Sequence, residues 1–242
     1  MKIEGSVALV TGANRGIGKA IAEELLARGA SKVYAGVRDP ESVTDPRLVA
    51  VELDVTDAGR VAEVAAQLRD VQIVVNNAGI GHVATPLQAK LDDARAQLDV
   101  NYLGIVSMTQ AFAPVLAADG GGAFVNVLSV VSWVAAPNLA TYSASKAAAW
   151  AFTNAARVEL KPRGIQVLGV HVGYVDTDLV APLDVEKIAP HVVADAVLDA
   201  LERGDSEVAV DEFSRTVKAA LHDDMNLLYP AIEAEFDAAA AA

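Results

Sequence analysis

The stretch SVALVTGANRGIGKAIAEELLARG, residues 6–29, decides the fold. SVALV (6–10) is a short apolar run of the kind that forms a buried strand, and it meets the glycine cluster TGANRGIG (11–18). A helical pattern follows and is closed by Gly29. Glycines at Gly12, Gly16 and Gly18 let the backbone turn tightly and come close to a bound group. The helix start offers free N–H groups and the positive end of its dipole. A glycine trio alone is a weak signal; placed between the first strand and the first helix, it reads as a cradle for a dinucleotide pyrophosphate.

The pattern repeats outward from there. Strand candidates lie at 32–37, 48–55, 71–76, 123–129, 165–172 and 207–212. Helical stretches lie at about 56–69 (with Thr56 as a cap), 91–118, 142–161 and 190–202, the last with Pro190 in its first turn. Strands apolar on both faces and alternating with helices imply a parallel sheet covered on both sides. The expected fold class is α/β: a doubly wound (Rossmann) parallel sheet of about seven strands with a short substrate lid. We find no linker or repeat, and read residues 1–242 as a single dinucleotide-binding domain.

Composition narrows the function. With 53% hydrophobic and 21% charged residues the chain is globular. It has no cysteine, which excludes disulfides, thiolate metal sites and a cysteine nucleophile and fits a reducing compartment. The start MKIEGSVALV lacks the apolar core of a signal peptide, and no apolar run of span length (~18 residues) is evident. The expected location is cytoplasmic. A net charge of −13 argues against nucleic acid or an anionic membrane as partner. His82, His171, His191 and His222 are scattered without i,i+3 or i,i+4 pairing, which argues against a zinc site.

The second strand ends at Val37-Arg38-Asp39. A carboxylate there takes ribose hydroxyls, whereas a 2′-phosphate needs cations. Arg38 at the strand end and Arg15 in the glycine loop favour NADP(H), two guanidiniums converging on one dianion; Asp39 is the competing group. Further on, TYSASKAAAW (141–150) places Tyr142 and Lys146 one helical turn apart on one face.

Taken together these residues resemble the short-chain dehydrogenase/reductase family over nearly the whole chain. TGANRGIG resembles its TGxxxGxG loop, Asn76-Asn77-Ala78-Gly79 its NNAG signature, and Tyr142-Ser143-Ala144-Ser145-Lys146 its YxASK signature. Asp54 matches its adenine-binding acid, Asn101 the asparagine of its middle helix, and Ser129 its serine thirteen residues before the tyrosine. The resemblance implies that Tyr142 is the acid or base and that Lys146 lowers the phenol's pKa and holds the nicotinamide ribose. It makes Ser129 the residue that orients the substrate oxygen and Asn101 the holder of a proton-relaying water. The implied cofactor set is Gly12, Asn14, Arg15, Gly16, Ile17, Gly18, Arg38, Asp54, Val55, Asn77, Ala78, Gly79, Tyr142, Lys146, Gly173, Val175 and Thr177.

The chain departs from the family at Val172, which stands where relatives carry proline before Gly173, with Thr177 four residues on; the nicotinamide wall is expected to sit differently. The lid, 178–189, is short, so a more open pocket is expected. His82, Val131, Val134, Ala135, Leu139, Val175 and Leu179 would line it, a mostly apolar set suited to a ketone or aldehyde; His82 reads equally well as a solvated loop residue. The apolar tail 221–236 would cover its own domain or a neighbour. Relatives are commonly homodimers or homotetramers, and Ala147, Ala148, Trp150, Ala151 and Ala155 would allow close packing between copies or within the chain. The leading expectation is an NADPH-dependent carbonyl reductase acting on a small or medium apolar carbonyl. The alternatives are a secondary-alcohol dehydrogenase running oxidatively and a non-catalytic NADP(H) sensor.

Overall fold

The structure, a computed structural model, describes residues 1–178, 180–181 and 184–241. Seven strands form one parallel sheet in the order β3-β2-β1-β4-β5-β6-β7. They are β1 (Val7–Thr11), β2 (Lys32–Val37), β3 (Val49–Glu52), β4 (Ile73–Asn76), β5 (Gly122–Val127), β6 (Ile165–His171) and β7 (Glu207–Ala209). The strand order reverses between β1 and β4, which places a crevice outside their carboxyl ends.

Helices cover both faces. On one side α1 (Gly16–Ala27) packs against α6 (Pro190–Arg203), burying Ile21, Leu25, Val197, Leu198 and Leu201. On the other lie α2 (Ala58–Gln67), α3 (Leu91–Leu98), α4 (Gly104–Ala118) and α5 (Ala140–Leu160), with Met108, Phe112 and Leu116 against Val74 and Phe124. Each such side chain, fully removed from water, contributes about 2–3 kcal/mol. The chain ends in α7 (Glu212–Ala220), α8 (Asp224–Leu227) and α9 (Tyr229–Ala241).

Several sequence expectations shift. Strands stop up to three residues early because the chain leaves the sheet to line the crevice or to cap a helix: Leu53–Val55 follow β3, and Asp211 after β7 accepts the Ser214 N–H at the start of α7. The cap of α2 is Asp57, which accepts the Arg60 N–H, while the Thr56 hydroxyl bonds Asp54 instead. Residues Leu91–Ala118 run as one 28-residue helix whose most apolar window has mean hydropathy 1.3, long and apolar enough to cross a membrane. That corrects the expectation that no run reaches span length. Half of the window is buried in the fold, with α4 lying on β4, β5 and α5 as a core helix.

Candidate active site

A cleft of about 1800 Å³ opens at the carboxyl ends of the central strands. Every residue expected to bind the cofactor lines it except Gly18, which lies beneath its floor; of the catalytic set, Ser129, Tyr142 and Lys146 line it and Asn101 lies behind.

The floor is built by close backbone approach. A Cβ on Gly18 would stand 2.3 Å from the Gly12 carbonyl and 2.4 Å from Asn77 Nδ2, so no other residue fits. Asn77 Nδ2 donates to the Thr11 carbonyl at 2.9 Å, and the N–H groups of Asn77 and Ala78 donate to Thr11 Oγ1 at 3.0 Å. NNAG thus clips β4 to the glycine loop, holding Gly12, Asn14, Gly16 and Ile17 open to the cleft.

At the far end, Asp39 is occupied: it caps the short turn Pro40–Ser42, accepting the Glu41 N–H at 3.0 Å. Arg38 is exposed at the cleft edge. Burial raises the Asp54 pKa, but hydrogen bonds from Thr56 and the charge of Arg38 outweigh it and hold the carboxyl below its usual value. Val55 is buried beside it against Gly104. Arg15 differs from expectation: its Nη1 is paired at 2.8 Å with Asp178 rather than standing over Arg38. Both partners of that bridge are more than 70% exposed, so it is worth about 1 kcal/mol or less and a phosphate can displace it.

Tyr142 and Lys146 lie on α5, one turn apart, as the spacing required. Tyr142 is half-buried and lines the cleft. Burial pushes the phenol up to about 12, and a hydrogen bond with the Ser129 side chain pulls the other way. Lys146 Nζ donates to the Val127 carbonyl at 2.9 Å and lies 5.8 Å from the Tyr142 ring centroid; burial brings the amine down to about 8. Burial thus governs the phenol, and it stays protonated near neutrality.

Asn101 sits in a π-helical turn, Asp99–Leu103, that joins α3 to α4. The wider turn aims its side chain at the Ile80 backbone, accepting its N–H at 2.9 Å and donating to its carbonyl at 2.8 Å, with Ser145 Oγ at 2.9 Å. Asn101 Oδ1 and Lys146 Nζ lie 3.3 and 3.7 Å from where a Gly79 Cβ would stand, so Gly79 keeps the space between them open.

The backbone around Val172 is held by hydrogen bonds on both sides. The Val172 carbonyl accepts the Val130 N–H at 2.8 Å, and the Gly173 N–H donates to Asp211 at 2.7 Å. Val175 pairs with Ile188 across the neck of the lid, and a Thr177 methyl sits over Gly16. Val131, Val134, Leu139 and Val175 line the cleft as expected, and His82 stands at its exposed rim. Ala135 does not: its N–H donates to Tyr229 Oη at 3.3 Å, outside the wall. Leu179 lies outside the described residues.

The sequence reading left the tail's landing place open and did not register two further features. The tail folds over its own domain: Tyr229 and Ile232 pack on Val130 and Val134, and Ile232, Phe236 and Phe213 complete the pocket wall that the short lid leaves open. The π turn has no sequence signature. His171, one of the scattered histidines, is fully buried behind Ser129; a histidine inside the apolar run IQVLGVHV was the available signal.

Residues 6–187 match the short chain dehydrogenase family model. A 3-oxoacyl-[acyl-carrier-protein] reductase of Synechocystis sp. is 34% identical over 200 residues, covering 77% of this chain and 81% of the relative. Among solved structures, a short chain dehydrogenase of Burkholderia cenocepacia in complex with NADP superposes with TM-score 0.92 at 43% identity, covering 96% of this chain and 99% of that one. The 3-ketoacyl-(acyl-carrier-protein) reductase of Brucella melitensis complexed with NADH does so with TM-score 0.78 at 29% identity, covering 86% and 95%. Sheet order, glycine cradle and these likenesses agree: the chain belongs to the short-chain dehydrogenase/reductase family of oxidoreductases.

Proposed function

We propose that the protein is an NADP(H)-dependent carbonyl reductase acting on a small or medium apolar ketone or aldehyde. The observation that carries this reading is the placing of the Tyr142 phenol on α5, one turn from Lys146, in the cleft wall that Ser129 also lines. A protonated phenol is the acid that a reduction requires.

The residues fit the cofactor. Gly18 leaves room only for backbone at the pyrophosphate cradle, Arg38 and a released Arg15 supply cations for a 2′-phosphate, and Asp39 is engaged in its cap. The NADP complex of the Burkholderia relative supports the same choice. When bound, the reduced nicotinamide supplies the hydride. Ser129 Oγ donates to the substrate oxygen and orients it, and Tyr142 gives that oxygen its proton. Lys146 steadies the resulting phenolate and takes the ribose hydroxyls. Asn101 holds a water in the space beside Gly79 through which the pair regains its proton. Val131, Val134, Ile232 and Phe236 favour an apolar substituent on the carbonyl. Exposed Ala151, Ala155 and Val158 form a stripe on α5 that suits pairing with a second copy.

The test is a panel of aldehydes, ketones and sugars with NADPH and NADH, followed by loss of reduced cofactor. Turnover on apolar carbonyls with NADPH preferred supports the reading. NADH preference overturns the cofactor assignment, and tight NADPH binding without turnover on any carbonyl points to a sensor.

A further inference from the structure

His171, at the end of β6, has no solvent exposure. Burying an imidazole costs free energy unless its nitrogens are used. Packing alone does not call for one: the ring stacks on Trp133 at 3.7 Å with the planes 17° apart and meets Trp150 edge-on, contacts a phenylalanine also makes. The nitrogens face specific groups. Nδ1 lies 3.1 Å from the Ser129 carbonyl and 3.3 Å from Ser132 Oγ, and Nε2 lies 3.4 Å from Glu207 Oε2 on β7. Glu207 is held in turn by Lys218 at 2.6 Å, whose ammonium covers the Trp133 ring.

Ser129 and Ser132 bracket a single turn of 3-10 helix. The Ser132 hydroxyl accepts the Ser129 N–H at 3.2 Å and donates to the Ser129 carbonyl, while Ser129 Oγ accepts the Val131 N–H at 3.3 Å. Nε2 stands within ion-pair distance of the Glu207 carboxylate without making a hydrogen bond to it. The Ser132 hydroxyl has one hydrogen: either it stays on the Ser129 carbonyl and a hydrogen on Nδ1 goes to that same carbonyl, or it turns to Nδ1; both arrangements tie the turn to β6. The order carboxylate, imidazole, hydroxyl is that of a nucleophilic triad. Ser132 is only 4% exposed and is not part of the cleft wall, so the array cannot attack a substrate. What it can act on is the turn that presents Ser129.

We propose that His171 is a positioning residue: stacked on Trp133 and flanked by Glu207, it fixes the Ser129–Ser132 turn so that the Ser129 hydroxyl keeps its place in the cleft wall that Tyr142 shares. Catalytic groups must be held to within about 0.5 Å, and a serine on a free loop is not. The assignment of Ser129 rests on the function proposed above.

The test uses His171→Phe, which keeps the ring and its stacking but removes both nitrogens, with His171→Asn as the conservative variant, its amide reaching the Ser129–Ser132 turn. The expected result is a loss of about tenfold in kcat in His171→Phe with the KM for NADPH unchanged, and recovery to within about threefold in His171→Asn. Glu207→Gln should fall between the two. Equal loss in both His171 variants, or a loss that tracks melting temperature instead of kcat, overturns the proposal in favour of packing alone. A crystal structure of His171→Phe decides it without turnover. Displacement of Ser129 Oγ by more than about 0.5 Å supports the proposal, and an unmoved Ser129 refutes it. Wild type inert on every carbonyl removes the reductase reading alone and leaves the displacement result standing. Should His171→Phe not fold, the same structural comparison on Glu207→Gln gives the answer.

Discussion

Replacing Lys146 by methionine removes the charge that faces the developing phenolate while keeping the length and apolar stem of the side chain. Lys146 Nζ stands 5.8 Å from the Tyr142 ring centroid. At an effective dielectric near 20, a unit charge at that separation stabilises a phenolate by about 3 kcal/mol, equivalent to about 2 pKa units. Protonation of the substrate leaves Tyr142 anionic, so the variant should lose about a hundredfold in kcat at saturating NADPH. The loss has a pH signature. The Lys146 amine is brought down to about 8 by burial, so the wild-type ammonium is present below that value and disappears above it. The wild-type reductive kcat should therefore fall as pH rises through about 8, toward the rate of Lys146→Met, and the variant should show no step there. The assay is loss of NADPH absorbance from pH 6 to 10 with a fixed apolar ketone, with cofactor binding measured separately by fluorescence. A Lys146→Met enzyme within about threefold of wild type, or one keeping the same alkaline fall, refutes the electrostatic role.

At the cofactor's far end, Arg38→Asp should reverse the preference toward NADH, and Asp178→Asn, which frees Arg15, should lower the KM for NADPH by about twofold to fivefold, in keeping with a bridge worth about 1 kcal/mol or less; steady-state kinetics with both cofactors checks this. Gly18→Ala should abolish cofactor binding, since its methyl group would stand 2.3 Å from the Gly12 carbonyl; fluorescence titration with NADPH reads it. Burial raises the Glu207 pKa, but His171 and Lys218 outweigh it and lower the value from 4.5 to about 2. Its stabilisation is complete above pH 4.5 and is lost as pH falls toward 2, by about 2–3 kcal/mol. Melting curves of wild type should show that acid loss, and those of Glu207→Gln should show it diminished.

Much of this architecture was legible in the sequence because local rules and global fold agree there. The apolar run into TGANRGIG can be satisfied only by a buried strand turning tightly into a helix, and the Tyr142–Lys146 spacing needs only a helix to bring the pair together. What was not legible depends on contacts distant in the chain. Arg15 meets Asp178 across 163 residues, and nothing in the glycine loop announces that pairing. The extra residue in the turn at Asn101 is a matter of hydrogen-bond register, to which side-chain periodicity is blind. The short lid implied an open pocket because its length was countable; the tail that closes the wall could be read as amphipathic, but its landing place could not. His171 looked solitary because its partners lie on another strand and another turn.

The central claim is that the Tyr142 phenol delivers the proton to a substrate oxygen. Tyr142→Phe removes one oxygen from a residue whose ring remains free to pack as before. With the best carbonyl from the panel and saturating NADPH, the account predicts a loss of at least about a hundredfold in kcat with NADPH binding unchanged. Turnover in Tyr142→Phe within about threefold of wild type, at equal cofactor affinity, contradicts it.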